Sequence, residues 1–218
     1  QFRYVFPDEQ LQKVDARLAD EAISRQHRDV NGPLDDCTTP FPEGAESAVV
    51  PALPACWVQV NADGFPPTWV TTTGSAHGGT KKFSISWRAP NINDWLISPG
   101  VALTGGTAYQ LKFWRSAASL SYSERLDVWY GSTQNVAGMT NTIAATYTFN
   151  STTYVQDVFT FIPASSGTYY VGWHGTSLDA LGIFLDDMEL VTAPGAADLG
   201  VSLLAPCGTV APNPTQQV

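Results

Sequence analysis

Few residues in this sequence have the type and spacing for chemistry, and most of those are spaced against catalysis. The three histidines, His27, His77 and His174, stand far apart, with no His-Glu-x-x-His pattern to put two imidazoles on one metal. Neither a Cys-x-x-Cys pair nor a Gly-x-Ser-x-Gly nucleophile elbow occurs. Glu124 and Asp127 are close enough to suggest the carboxylate pair of a glycoside hydrolase. Three positions apart on a strand, however, they point to opposite faces. No catalytic residue is assigned, and the chain is not expected to be an enzyme.

Asp186 stands out for another reason. Phe184, Met188 and Leu190 recur at period two near the end of the last strong apolar run, and Asp186 falls on their face. A carboxylate on an inward face needs a cation or several hydrogen-bond donors. A second reading leaves Asp186 capping a strand end through backbone N–H groups. Asp187 would face outward unless the strand bulges. Of the seven tryptophans, Trp173 shares a face with Tyr169 and Val171, and it is assigned to packing together with Trp95. Trp114 and Trp129 fall opposite their apolar neighbours, beside Lys112 and Asp127. Outward indoles of that kind either stack on a ligand or are covered by another layer.

The elements that position these residues follow from the patterning. Alternating runs (Tyr109, Leu111, Phe113; Leu126, Val128, Tyr130; Val155, Phe159, Phe161) are separated by turns at Thr104-Gly105-Gly106, Tyr130-Gly131-Ser132, Asn150-Ser151 and Ser165-Ser166-Gly167. That spacing predicts an all-β, antiparallel two-sheet sandwich. Long irregular loops are expected around 70–79 and 88–93, at one end of it. Residues 8–30 differ: Leu11, Val14, Leu18, Ala22 and Ile23 recur at helical spacing between Asp8 and Asn31-Gly32-Pro33. Five of the eleven Lys and Arg lie in or just before this stretch, namely Arg3, Lys13, Arg17, Arg25 and Arg28. The predicted organisation is an amphipathic helix or arm over 1–36, a β domain over 37–192, and a linker over 193–218 whose stretch from Asp198 resembles the start of an Ig-like domain or offers a docking strand.

Bulk composition narrows the class. The 218 residues suit one domain with tails, and charged residues make up only 14%. The net charge of −9 excludes a nucleic-acid partner, because no basic stripe exists to meet phosphates. No apolar run approaches the length of a membrane span. The chain opens at Gln1 rather than Met, which predicts a processed or trimmed N-terminus. Of the three cysteines, Cys37 and Cys56 enclose a short segment at the mouth of the β domain, where a disulfide is expected in an oxidising compartment, leaving Cys207 over. Three buried, reduced cysteines are the alternative.

Several segments together resemble a known family. They are Glu43-Gly44-Ala45-Glu46-Ser47, Pro54-Ala55-Cys56-Trp57, Asn61-Ala62-Asp63-Gly64, Asn93-Asp94-Trp95-Leu96-Ile97-Ser98-Pro99, Gly167-Thr168-Tyr169-Tyr170-Val171-Gly172-Trp173-His174 and Phe184-Leu185-Asp186-Asp187-Met188. In that order they resemble the cleaved-adhesin, or choice-of-anchor J, domain of surface proteins from Bacteroidetes-type bacteria and of gingipain haemagglutinin–adhesin regions. The resemblance implies a secreted or cell-surface jelly roll with structural Ca2+. Carried over by position, its ligands are Glu46, Asp63 and the pair Asp186/Asp187. Backbone carbonyls and water complete the shell of a hard cation. The loop Asn61-Ala62-Asp63-Gly64-Phe65-Pro66 lacks the richer acidic run of many relatives, so one ion is expected there and at Asp186 together, not two.

The function this implies is an extracellular binding module that recognises a glycan or a protein, with Trp114 and Trp129 as ligand-binding residues. Two other readings remain. One is a structural subunit of an extracellular filament that joins copies of itself through its terminal arms. The other is a non-catalytic accessory domain of a secreted hydrolase.

Overall fold

The computed structural model describes residues 43–87 and 91–194. The predicted helix over 8–30, the C-terminal strand, Cys37 and Cys207 lie outside the described residues. Eleven strands follow in order: β1 (Val58–Asn61), β2 (Val70–Thr73), β3 (Lys81–Ser86), β4 (Asp94–Ile97), β5 (Val101–Leu103), β6 (Tyr109–Ala117), β7 (Glu124–Gly131), β8 (Asn141–Phe149), β9 (Val155–Phe161), β10 (Gly167–Gly175) and β11 (Gly182–Thr192). All pairings are antiparallel. One sheet runs β1-β4-β10-β7-β8, with β5 also on β10, and the other runs β2-β3-β11-β6-β9. This is the predicted all-β, two-sheet jelly-roll sandwich.

Alternation builds the core. Leu111 and Phe113 of β6, Leu126 and Val128 of β7, Val171 and Trp173 of β10, and Ile183 and Leu185 of β11 are all fully buried between the sheets. Trp173 is its centre: the Phe113 ring meets it edge-on at 5.8 Å and Trp57 packs beside it at 5.7 Å. A second apolar layer lies on the outer face of the first sheet, where Trp95, Ile97 and Met139 are buried against Val58, Val60, Trp129 and Tyr170. Strand β4 is therefore buried on both faces, with Leu96 turned to the main core and Trp95 and Ile97 to the outer layer.

The predicted turns fall between strands or at strand ends, and the predicted irregular segment at 70–79 is regular only over its first four residues. Val70–Thr73 is strand β2, paired with β3 through Thr73↔Lys81, so only the hairpin loop between them is irregular. Three consecutive threonines, Thr71 to Thr73, favour extended backbone there.

Candidate functional site

Strand β11 carries both neighbouring acids, and its ladder to β6 breaks between Asp186 and Glu189. The bulge puts Asp187 at φ 42°, in the left-handed region that non-glycine residues seldom occupy. It also reverses the side-chain alternation. Ile183 and Leu185 face the core before the bulge, and Met188 and Leu190 face it after. Phe184 and Asp186 therefore lie on the opposite, outer face, and Asp186 is paired with Trp114 of β6. This corrects the expectation that Asp186 shares an inward face with Phe184, Met188 and Leu190: a period of two cannot be counted through a bulge.

Asp186 is nevertheless fully buried, roofed by the β2–β3 hairpin. Its Oδ2 accepts the backbone N–H of His77 at 2.6 Å and of Gly78 at 3.2 Å, and its Oδ1 accepts that of Asp187 at 2.8 Å. The donor-capped reading is thus realised in the geometry. These donors do not fully offset desolvation: burial raises the Asp186 carboxyl above the usual aspartate range, and the Asp187 charge adds to the rise.

Three further acids surround the same hairpin. Asp187 Oδ2 sits 2.6 Å from His77 Nδ1. Glu46 accepts the N–H groups of Thr80 at 2.7 Å and Lys81 at 2.6 Å, and these donors hold its carboxyl below the ordinary glutamate value. Glu43 joins β11 through two backbone hydrogen bonds with Met188, each 2.9 Å. Burial raises its carboxyl, and the charges of Glu46 and Asp186 raise it further. Two glycines make room for this crowding. A Cβ on Gly78 would lie 2.6 Å from Asp187 Oδ2, and one on Gly79 would lie 2.5 Å from Glu46 Oε1. Larger residues at either position would displace a carboxylate. Two cations are built in: Lys81 donates to the Glu46 carbonyl at 2.7 Å, and Lys82, 5% exposed, donates to the Gly74 carbonyl at 2.6 Å. Burial pulls the Lys82 ammonium below the ordinary lysine value, against the attraction of Asp186.

Of the four residues carried over as calcium ligands, Glu46, Asp186 and Asp187 thus meet at one hairpin. Asp63 belongs to the loop after β1, beside Asp94, whose Oδ1 accepts the N–H of Ala62 at 3.1 Å. Asp63 Oδ1 accepts the N–H of Phe65 at 2.8 Å. Nearby in the same loop and its strand, Asn61 Oδ1 and Thr68 Oγ1 are buried without a hydrogen-bond partner. The carboxylates carried over as ligands, with Asn61 and Thr68, offer oxygen, which suits a hard cation. Among the described residues, no three acidic, histidine or cysteine side chains come together in metal-holding geometry. An ion at the hairpin would accordingly depend on backbone carbonyls and water as well as carboxylates.

Beside the acids lies an open cleft of about 460 Å³, lined by Ser75, Ala76, His77, Trp114, Thr152, Thr153 and Tyr154. Trp114 projects outward from β6, as its register predicts, and the His77 ring stacks on it at 3.8 Å and 14°. Trp129 has a different setting. It is half-buried in the outer layer, 6.5 Å from Trp95, and its Nε1 donates to Asp127 Oδ1 at 2.7 Å. The covered-by-another-layer reading fits its position.

The carboxylates considered as a catalytic pair have separate tasks. Glu124 is fully buried and holds the β10–β11 loop, accepting from Ser177 and Gly182. Asp127 accepts from Thr146 and Trp129 and stands 3.0 Å from His174 Nδ1, whose Nε2 is 2.8 Å from Asn93 Oδ1. Burial works to raise the Asp127 carboxyl, but the hydrogen bond and charge of His174, with Thr146 and Trp129, bring it below the ordinary value. A depressed carboxyl contributes stability above its unfolded pKa, and that contribution is lost as pH falls through the folded value. Asp127→Asn is therefore expected to lower stability at pH 7 by about 1–3 kcal/mol. It should also flatten the loss of stability below about pH 4, the ordinary aspartate range. Urea titrations at pH 7, 4 and 3 read both effects, and an unchanged acid limb would refute the assignment.

His77, Glu43, Gly78, Gly79 and Asp94 were not singled out from sequence as site residues. The available signal was weak: Glu43 and Asp94 sit inside the motif segments, and Gly78-Gly79 is a paired-glycine hairpin. Cys56 is disulfide-bonded, and its partner lies outside the described residues.

A two-sheet jelly roll with an acid-lined hairpin and an aromatic cleft defines the structural class. Within it, the chain belongs to the cleaved adhesin family: the model of the Cleaved Adhesin Domain matches residues 42–189. Solved relatives include the K1 cleaved adhesin domain of Lys-gingipain from Porphyromonas gingivalis, 22% identical with a TM-score of 0.59, covering 72% of this chain and 99% of that one. The K3 domain of the same protein is 24% identical with a TM-score of 0.57, covering 69% of this chain and 96% of that one. A family 22 carbohydrate-binding module from Clostridium thermocellum shares the fold at 15% identity and a TM-score of 0.50, covering 73% of this chain and 96% of that one. No curated protein sequence matches. No helix among the described residues is long and apolar enough to cross a membrane.

Proposed function

We propose that the protein is an extracellular, non-catalytic adhesin-type module that recognises a glycan or a protein, and that calcium fixes the hairpin bordering its binding cleft. The observation that carries this reading is the convergence of Glu43, Glu46, Asp186 and Asp187 on one glycine hairpin, with a raised carboxyl at its buried centre. A divalent cation would supply the charge that the backbone donors leave unbalanced. Asp186 and Asp187 would hold it from the strand and Glu46 from the preceding loop. A disulfide between Cys56 and Cys37 would suit an oxidising, extracellular compartment.

The test is thermal melting in calcium and in chelator. Calcium at about 100 times its dissociation constant adds about 2.7 kcal/mol to the folded state. For a domain of this size that is roughly 5–10 °C in Tm. Asp186→Ala should abolish the difference between the two buffers. Identical melting curves for the native protein with and without chelator would overturn the calcium assignment. Native mass measurement would count the ions, one for the hairpin and a second if the Asp63 loop also takes one.

A further inference from the structure

We infer that the cleft between the β2–β3 hairpin and the β8–β9 turn is a subsite for an uncharged saccharide ring, with the stacked Trp114 and His77 rings as its platform. This rests on the binding-module reading above and names the ligand class and the residues.

The geometry is that of a small platform between two hydroxyl-bearing walls. Trp114 rises from β6 with one face of its indole covered by the stacked His77 ring, so the ring pair forms the platform. His77 is itself fixed, by the bond of its Nδ1 to Asp187 and of its backbone N–H to Asp186. Rigid aromatic surface costs little entropy to present, and the polarised C–H face of a pyranose packs on it well. One wall carries Ser75. The other carries the exposed Thr152 and Thr153. Hydroxyls both donate and accept, so they can follow the mixed hydrogen-bonding edge of a sugar. The volume of about 460 Å³ lies within the range of small-ligand pockets.

Charge decides which sugars. The lining has no Lys, Arg, Asp or Glu, and the imidazole of His77 is already engaged by Asp187. Burial holds the Tyr154 phenol up to about 12, so this wall stays neutral. The whole chain carries a net charge of −9. Sulfated, sialylated or uronic-acid ligands would meet repulsion without a cationic partner. A neutral hexose or pentose unit meets neither penalty.

The experiment uses the full chain in millimolar calcium. Cello-, xylo-, manno- and galacto-tetraose are titrated separately, and a polygalacturonate oligomer serves as the charged control. Binding is read by calorimetry and by tryptophan fluorescence. At least one neutral oligomer is expected to bind, and the charged control to bind at least tenfold more weakly. Trp114→Ala should weaken binding tenfold or more. Thr153→Arg, on an exposed turn where folding tolerates change, should block the cleft to a similar extent at unchanged melting temperature. Binding by none of the four neutral oligomers overturns the inference. So does binding that survives both substitutions, although the adhesin reading would then stand with its site elsewhere. Failure of the calcium test with the Trp114 effect intact would separate the two claims in the other direction.

Discussion

Glu124→Ala is expected to cost the domain about 3–5 kcal/mol, the scale for leaving three buried donors without an acceptor. The carboxylate is fully buried. Its Oε2 accepts the Ser177 hydroxyl at 2.6 Å, and its Oε1 accepts the N–H groups of Leu181 at 2.8 Å and Gly182 at 2.6 Å. Ser177 Oγ in turn accepts the N–H of Arg125 at 2.9 Å. Alanine would leave two backbone donors and a hydroxyl without partners in the interior, each worth about 1–3 kcal/mol of desolvation. Glu124→Gln retains one carbonyl oxygen for the two N–H groups, so its loss should be about half as large. Denaturant unfolding reads both. The midpoint should fall with the slope unchanged, because the surface exposed on unfolding is the same. A Glu124→Ala protein within about 1 kcal/mol of the native one would refute this role. The effect bears on function, since the loop that Glu124 holds leads directly into β11, the strand carrying Asp186 and Asp187.

That loop also illustrates what the sequence could and could not convey. Sheet-building alternation is local, so β6, β7 and β10 could be read with their faces: Phe113, Val128 and Trp173 are where period two puts them. Trp114 was legible for the same reason, as the residue opposite Phe113 and Leu111. Asp186 was legible as a buried acid requiring partners but not as to side, because the bulge lies between it and Met188. The left-handed backbone of Asp187 that accommodates the bulge has no signature in a run of Phe-Leu-Asp-Asp-Met. The partners of Asp186 were harder still. His77 and Gly78 lie more than a hundred positions away, and they contribute backbone N–H groups, which every residue has. A hairpin that acts through its main chain leaves only its glycines in the sequence. Asp63 shows the converse: an acid in the right motif segment that the fold places on a separate loop, beside Asp94. Likewise Trp129, outward by parity, is packed because the Val136–Met139 segment adds a layer that alternation cannot foresee.

Arg115 supplies the other large effect, at the edge where the two sheets are joined through β8 and β9. Its Nε lies 2.7 Å from Asp157 Oδ2, and the two side chains are only 13% and 11% exposed. The same carboxylate oxygen accepts the hydroxyl of Tyr147, and the guanidinium lies 4.3 Å over the Phe149 ring and 5.4 Å from that of Tyr147. Arg115 and Asp157 belong to one sheet, Tyr147 and Phe149 to the other, so the group ties the layers together. Burial first, and then the Asp157 charge, hold the Tyr147 phenol far above its ordinary value, which keeps it a donor at every working pH. Arg115→Met would preserve the length of the stem but leave Asp157 buried with one neutral partner, at a cost of about 3–5 kcal/mol. Adding Asp157→Leu should restore part of that loss, since a packed apolar pair can match a buried ion pair, while the Tyr147 hydroxyl loses its acceptor. The coupling in this double-mutant cycle should exceed about 2 kcal/mol, above the usual departure from additivity of distant sites. Additive losses would show that the pair contributes only packing. Because Arg115 lies on the inner face of β6 directly after Trp114 on the outer one, the single variant should also loosen the platform. The double variant, with its sheets again closed, should recover whatever the platform binds.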